Sequence, residues 1–207
     1  MMMKSVRLFM AALLLVAATA CGGSNQKKER ALNAQNGKTL VVFFSHAGEN
    51  YAVGNVKVGN TKVVANYISE ITGADQFEIV CVKDYDMPYK PLCDLAKKEQ
   101  QQGELPGFKG EVKNLDQYAT VFIGGPVWWG TYPQVMFTFF EKYKKQLNDK
   151  TIVPFTTHEG SGLGNCVSDL KKILPKAQVK GEFSLYGHEV RESKARVQKW
   201  LQGLGYK

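Results

Sequence analysis

Leu40-Val41-Val42-Phe43-Phe44 is an unbroken run of apolar residues with no polar alternation. A strand of this kind offers no face to water, so it belongs in a sheet covered on both sides. Ala119–Gly125 and Thr151–Thr157 are again strand-like, and Gln76–Val82 and the more alternating Val179–Tyr186 complete a set of five strands. Helical periodicity fills the intervals. In Lys62–Thr72, Val63, Val64, Tyr67, Ile68 and Ile71 share one face, and Gly73 is a stop. Leu92–Gln102 reads as a polar-faced helix broken by Gly103–Gly110. Pro133 suits the first turn of a helix that carries Val135, Met136, Phe139, Phe140, Tyr143 and Leu147 inward. Gly162–Leu174 is stopped by Pro175, and Ser193–Leu204 ends the chain with Val197, Trp200, Leu201 and Leu204 on one side.

Strands alternating with helices predict an α/β fold: a five-stranded parallel sheet in the order 2-1-3-4-5, helices on both faces, right-handed crossovers. Ligands of such sheets sit beyond the carboxyl ends of the strands. The loops after the first, third and fourth strands are therefore where function is expected.

The first twenty residues are of another kind. Lys4 and Arg7 precede a nearly continuous apolar run, Leu8–Ala20, too short for a confident spanning helix and typical of an export signal. Ala18-Thr19-Ala20-Cys21 resembles the lipobox of bacterial lipoproteins, with Ala18 where Leu is usual. That resemblance implies cleavage before Cys21, acylation of its thiol, and a cell-envelope protein on the periplasmic side or outer face of a bacterial membrane. Residues 21–37 are polar with few apolar anchors and read as a flexible tether, reaching about 20–25 Å. The globular domain is expected over 38–207.

The chain carries a formal charge of +8, which becomes +6 once Lys4 and Arg7 leave with the signal. The excess is Lys scattered among Glu and Asp, without a basic tract interleaved with aromatics, so no nucleic-acid partner is expected. Cys81, Cys93 and Cys166 show no metal-binding spacing and no assignable disulfide, and no metal is expected.

The first loop is Ser45-His46-Ala47, then Gly48–Val58, then Gly59-Asn60-Thr61-Lys62. A strand feeding a helix through small and hydroxyl residues aims free backbone N–H groups at an anion, with Ser45, Asn60 and Thr61 as side-chain donors. Gly54–Thr61, G-N-V-K-V-G-N-T, stands one residue from a nucleotide-binding P-loop, but its phosphate-reaching Lys is Asn60 here. The second loop, Gly124-Gly125-Pro126-Val127-Trp128-Trp129-Gly130-Thr131-Tyr132-Pro133, sets two adjacent indoles at a strand end, where a planar ring would cover them. The third runs Thr156-Thr157-His158-Glu159-Gly160-Ser161-Gly162.

Taken together these loops resemble those of the flavodoxins. Without Gly48–Val58 the first becomes S-H-A-G-N-T, similar to the family's S-x-T-G-N-T phosphate loop with Ala47 in place of a Thr. The second is similar to the flavin loop of short flavodoxins, and the third to the T-S-G-G-S-G segment beside the ribityl and pyrimidine. The resemblance implies a flavodoxin-like three-layer sandwich holding flavin mononucleotide (FMN) without a covalent bond. It places Ser45, His46, Ala47, Asn60 and Thr61 at the phosphate. Pro126, Val127, Trp128, Trp129 and Gly130 lie along the ring, and Thr156, Thr157, His158, Glu159 and Gly160 beside them. Gly130 is the candidate for the peptide that turns its carbonyl to flavin N5. The function implied is electron transfer with a redox partner protein or a quinone. An NAD(P)H:quinone-type reductase and a non-catalytic binding module on the same fold are the alternatives.

Overall fold

The structure is a computed structural model, and it describes residues 37–206. The expected signal segment, the Cys21 lipid site and all but the last residue of the tether lie outside the described residues. Among the described residues, no helix is long and apolar enough to cross a membrane.

Among the described residues, ten strands and five α-helices follow one another: β1 (Lys38–Phe43), β2 (Gly48–Asn50), β3 (Gly54–Val56), α1 (Asn60–Thr72), β4 (Asp75–Glu78), β5 (Val80–Cys81), α2 (Tyr89–Gln102), β6 (Phe108–Lys109), β7 (Tyr118–Pro126), α3 (Gln134–Leu147), β8 (Thr151–His158), α4 (Cys166–Ile173), β9 (Gln178–Val179), β10 (Phe183–Tyr186) and α5 (Lys194–Gly203). The central sheet runs β10-β8-β7-β1-β4, with β9 beside β8, and its pairings are all parallel. That is the expected 2-1-3-4-5 order.

The apolar run of β1 is explained by its alternation. Val41 and Phe43 face one layer with Val64, Ala65 and Ile68 of α1 and Val197 and Leu201 of α5. Leu40, Val42 and Phe44 face the other, with Leu92 of α2, Phe139 and Phe140 of α3, and Leu170 of α4. Successive side chains point to opposite faces, so a doubly covered strand must be apolar at every position.

Three expectations change. Gln76–Val82 is not one strand: β4 stops at Glu78, and Val80 and Cys81 turn away to pair antiparallel with β6. Val179–Tyr186 is interrupted at Gly181, whose φ of +69° ends the first strand. The helix expected from Gly162 starts only at Cys166, because Gly162 and Gly164 have φ values of +60° and +48°. The segment Gly48–Val58 is a two-stranded antiparallel hairpin, β2–β3, with its own small sheet. Cys81, Cys93 and Cys166 are free thiols.

Candidate functional site

At the carboxyl edge of the sheet lies a cleft of about 530 Å³. One wall consists of the three expected loops and contributes His46, Asn60, Thr61, Pro126, Val127, Trp128, Trp129, Thr157, His158 and Glu159. The other is made by the Gly48–Val58 insertion, whose hairpin contributes Glu49, Asn50 and Tyr51, and by α2, with Tyr89, Leu92 and Cys93.

The anion end is built on α1. Its N-cap, Gly59, supplies no side-chain hydrogen bond, and no acidic residue stands in the first turn. The Lys62 amide donates to Ser45 Oγ at 3.0 Å. The amides of Asn60 and Thr61 have no carbonyl to bond within the helix and remain available, at the positive end of the helix dipole. Thr61 Oγ1 meets Thr157 Oγ1 at 2.8 Å, which ties α1 to the end of β8. Sequence reasoning missed Arg191. Its guanidinium donates to Asn60 Oδ1 and to the Val58 carbonyl, both at 3.0 Å, and brings a fixed positive charge to this turn. It lies in a 3₁₀ segment, Gly187–Glu192, that reads in sequence as an ordinary polar connection.

The middle of the cleft holds His46. The side chain is 9% exposed, its ring meets Trp128 edge-on at 6.0 Å, and its Nε2 has no hydrogen-bond partner. Burial holds its pKa below the usual value, against the nearby charge of Asp86 and the Glu49 backbone. Trp128 is half-buried, packed edge-on against Phe44 and Tyr85 at 5.4 and 5.7 Å. Trp129 is 48% exposed, with Lys97 Nζ 4.7 Å from its ring centre and its indole N–H donating to the Cys93 carbonyl. The adjacent indoles therefore divide the work: one anchors the loop in the core, and the other forms a lip.

The Trp128–Thr131 turn is held by mutual backbone hydrogen bonds of 2.8 and 3.2 Å. Trp129 and Gly130 both have positive φ, +50° and +85°, as a type I′ turn demands. Gly130 does not reach the cleft, and its carbonyl accepts from the Asn165 amide at 2.7 Å. Turning that carbonyl toward a ring would first break this bond. The Trp129 carbonyl is likewise engaged, by Gln100 Nε2 at 3.0 Å.

On the third loop, Thr156 is buried with its hydroxyl on the Gly162 carbonyl, so it braces the loop and does not line the cleft. His158 Nδ1 accepts from the Gly160 amide at 3.0 Å, and burial lowers the pKa of this imidazole. Glu159 binds the His188 backbone N–H and ring Nδ1 at 2.9 and 2.7 Å. Ser45, Ala47 and Gly160 do not line the cleft either. Among the described residues no cluster of side chains could hold a metal ion.

The site thus has the unbonded Asn60 and Thr61 amides at one end and indole and proline surfaces at the other, on a doubly wound parallel sheet. A phosphorylated ring compound fits this donor set. The family model described as Flavodoxin matches residues 38–204, and the chain belongs to that family. Two solved structures of candidate flavoproteins are similar to it. The one from Bacteroides eggerthii is 27% identical, with a TM-score of 0.60 over 83% of this chain and 100% of that one. The one from Bacteroides uniformis is 26% identical, with a TM-score of 0.64 over 80% and 98%. A flavoprotein from Lactobacillus acidophilus, solved in complex with FMN, shares the fold at 22% identity and a TM-score of 0.58 over 80% and 99%. No curated protein matches the chain.

Proposed function

We propose that this protein holds FMN in the cleft and transfers electrons through it, tethered by Cys21 at the extracytoplasmic face of a bacterial membrane. The observation that carries the reading is the pairing of unbonded first-turn amides at Asn60 and Thr61 with the Pro126–Trp129 surface in one cleft. The phosphate belongs at Asn60 and Thr61, where the guanidinium of Arg191 adds charge. Thr157 and Ser161 supply polar groups along the middle, and Val127, Trp128 and Trp129 offer the surface for the ring. FMN, when bound, supplies the hydride and one-electron chemistry. The protein's part is to fix the cofactor's orientation and exclude water from it.

Titration of purified protein into FMN tests the reading. Quenching of flavin fluorescence with one-to-one stoichiometry is expected. Asn60→Asp, which sets a carboxylate beside the phosphate, should weaken it by about tenfold or more. Absence of quenching refutes the proposal. The tether is tested separately: Cys21→Ala should move the protein from the membrane to the soluble fraction of the envelope.

The hairpin wall favours a second reading, an FMN-dependent NAD(P)H:quinone-type reductase. A carrier that hands electrons to another protein needs its ring edge open to a broad, flat interface. Here Tyr89 donates its amide to the Glu49 carboxylate at 2.7 Å and stacks on Tyr51 at 6.1 Å, drawing hairpin and α2 together over the cleft.

A further inference from the structure

We propose that the groove behind the β2–β3 hairpin receives an extended, acidic segment of a partner protein, which adds as a strand to the open edge of β3. The groove is a second cavity, of about 880 Å³, bounded by β3, α1 and the Gly187–Glu192 segment. It shares only Val53 with the cleft, so the inference stands apart from the FMN reading. Three observations carry it.

The first is a backbone edge. β2 and β3 form a sheet of their own, in which each strand has a single neighbour. One edge of β3 therefore carries N–H and C=O groups that no strand satisfies. Glu49 and Asn50 of β2 line the cleft, whereas Asn55 and Val56 of β3, with Lys57 and Val58 after it, line the groove. The open edge of β3 lies on the groove's side. An incoming extended chain gains main-chain hydrogen bonds there, and its alternate side chains enter the groove.

The second is charge. Among the described residues no Asp or Glu lines the groove, while Lys57 and Arg191 both do, and both are exposed. Arg191 bonds to Asn60 Oδ1 and the Val58 carbonyl, and the rest of its guanidinium fork is left for a carboxylate. Glu159, which binds the His188 ring, lines the cleft and not the groove. A lysine on an open edge keeps apolar strands from pairing there, because its charge would be stripped of water. A strand bearing carboxylates removes that penalty. The chain's surplus of positive charge steers the same class of partner toward it.

The third is the surface between the charges. Val56, Val58, Val63 and the Tyr67 ring form it, with Val58 43% exposed. The Tyr67 hydroxyl donates to the Arg191 carbonyl at 3.0 Å, which joins α1 to the segment that carries the guanidinium. A small anion would engage the two cations and leave this apolar surface wet. A strand that alternates acidic and β-branched residues covers both.

The test is a calorimetric titration of the protein, supplied with FMN, by a blocked peptide of about ten residues alternating Glu and Val. One-to-one binding is expected, weakening steeply as salt rises. Gln in place of the peptide's Glu should raise Kd by about tenfold, and so should Lys57→Glu in the protein. FMN affinity of that variant, read by flavin quenching, should stay within about threefold. Two further peptides, N-methylated on alternate residues, each lack the amide donors of one edge. One should bind like the parent and the other should not bind, and any other pattern refutes strand pairing. Equal affinity for the Gln peptide, or for the Lys57→Glu protein, refutes the groove. If free glutamate displaces the peptide at the peptide's own concentration, the groove is a small-anion site and the proposal is overturned. It is overturned likewise if phosphatidylglycerol vesicles bind the protein through Lys57 and the peptide does not.

Discussion

Gly164 packs behind the Trp128–Thr131 turn, and on the proposed reading of the cleft replacing it with Ala should damage FMN binding out of proportion to the atom added. At φ +48° an L-residue pays about 1–2 kcal/mol for the left-handed conformation. The new Cβ would also fall 2.5 Å from the Gly130 carbonyl oxygen and 3.1 Å from Val127 Cγ1. That oxygen must retreat by at least about 0.5 Å to reach even a tight contact, and it is the acceptor for the Asn165 amide. Losing this hydrogen bond adds about 0.5–1.5 kcal/mol. Gly162 is the internal control, because its φ is +60° and nothing lies within 4 Å of its would-be Cβ. Gly162→Ala therefore carries the conformational cost alone and should lower Tm by about 2–4 °C per kcal/mol lost. Gly164→Ala should fall by about 5–10 °C and, since Trp129 and Val127 move with Gly130, weaken FMN about tenfold. Circular-dichroism melts and flavin-quenching titrations on the pair give both numbers. Equal FMN affinity in the two variants would refute the idea that the Gly130 peptide is held in place for the ligand.

Other outcomes follow from buried ionisable groups. Burial holds His46 and His158 below the ordinary imidazole value of 6.5, so between that value and their native values the unfolded chain binds more protons. Stability should therefore fall as pH drops below 7, by at most about 1.4 kcal/mol per pH unit for each histidine. Urea midpoints at pH 7.5 and 5.5 check the sign, and greater stability at the lower pH contradicts it. Cys166 is fully buried with its thiol pushed up to about 12 and Cys81 is raised by burial, whereas Cys93 lines the cleft. A thiol reagent should modify Cys93 far ahead of the other two, and FMN should slow the labelling that Cys93→Ser abolishes. Glu99 is 1% exposed and accepts from Lys83 Nζ and the Tyr85 hydroxyl at 3.1 and 2.9 Å. Lys83 keeps Glu104 at 2.6 Å, so the cost of Glu99→Ala is mainly the stranded Tyr85 hydroxyl, about 1–3 kcal/mol by chemical denaturation.

What the sequence discloses is whatever has a period or a run. β1, β7 and β8 are buried on both faces, and their apolar runs betray them. α3 shows its stripe from Val135 to Leu147 for the same reason. The hairpin has no such signature. Gly-Glu-Asn and Gly-Asn-Val are too short and polar to alternate, and the turn is made by positive φ at Ala52 and Gly54. Its position comes from tertiary contacts, Glu49 with the Tyr89 amide and Tyr51 on Tyr89, forty and thirty-eight residues distant. Arg191 escapes for a related reason. Nothing local marks an arginine in Gly-His-Glu-Val-Arg-Glu-Ser as the neighbour of Asn60, 131 residues earlier.

Eleven residues stand between the two halves of the S-x-T-G-N-T-like loop, yet the geometry shows how the turn at the start of α1 survives them. The two ends of the insertion meet: a Cβ on Gly59 would lie 2.3 Å from Ser45 Oγ and 2.4 Å from the His46 carbonyl oxygen. Only glycine lets the returning chain pass so close, and the Lys62 amide then reaches Ser45 Oγ across the junction. The turn at the start of α1 is closed as though Gly48–Val58 were absent, and closing a longer loop adds only about 0.6 kcal/mol for each doubling of length. Arg191 fastens the returning strand at the Val58 carbonyl while holding Asn60 by its amide oxygen. The hydroxyl missing at Ala47 is thus set against a guanidinium added beside the same helix. The hairpin, relieved of any part in that turn, is free to become the second wall of the cleft.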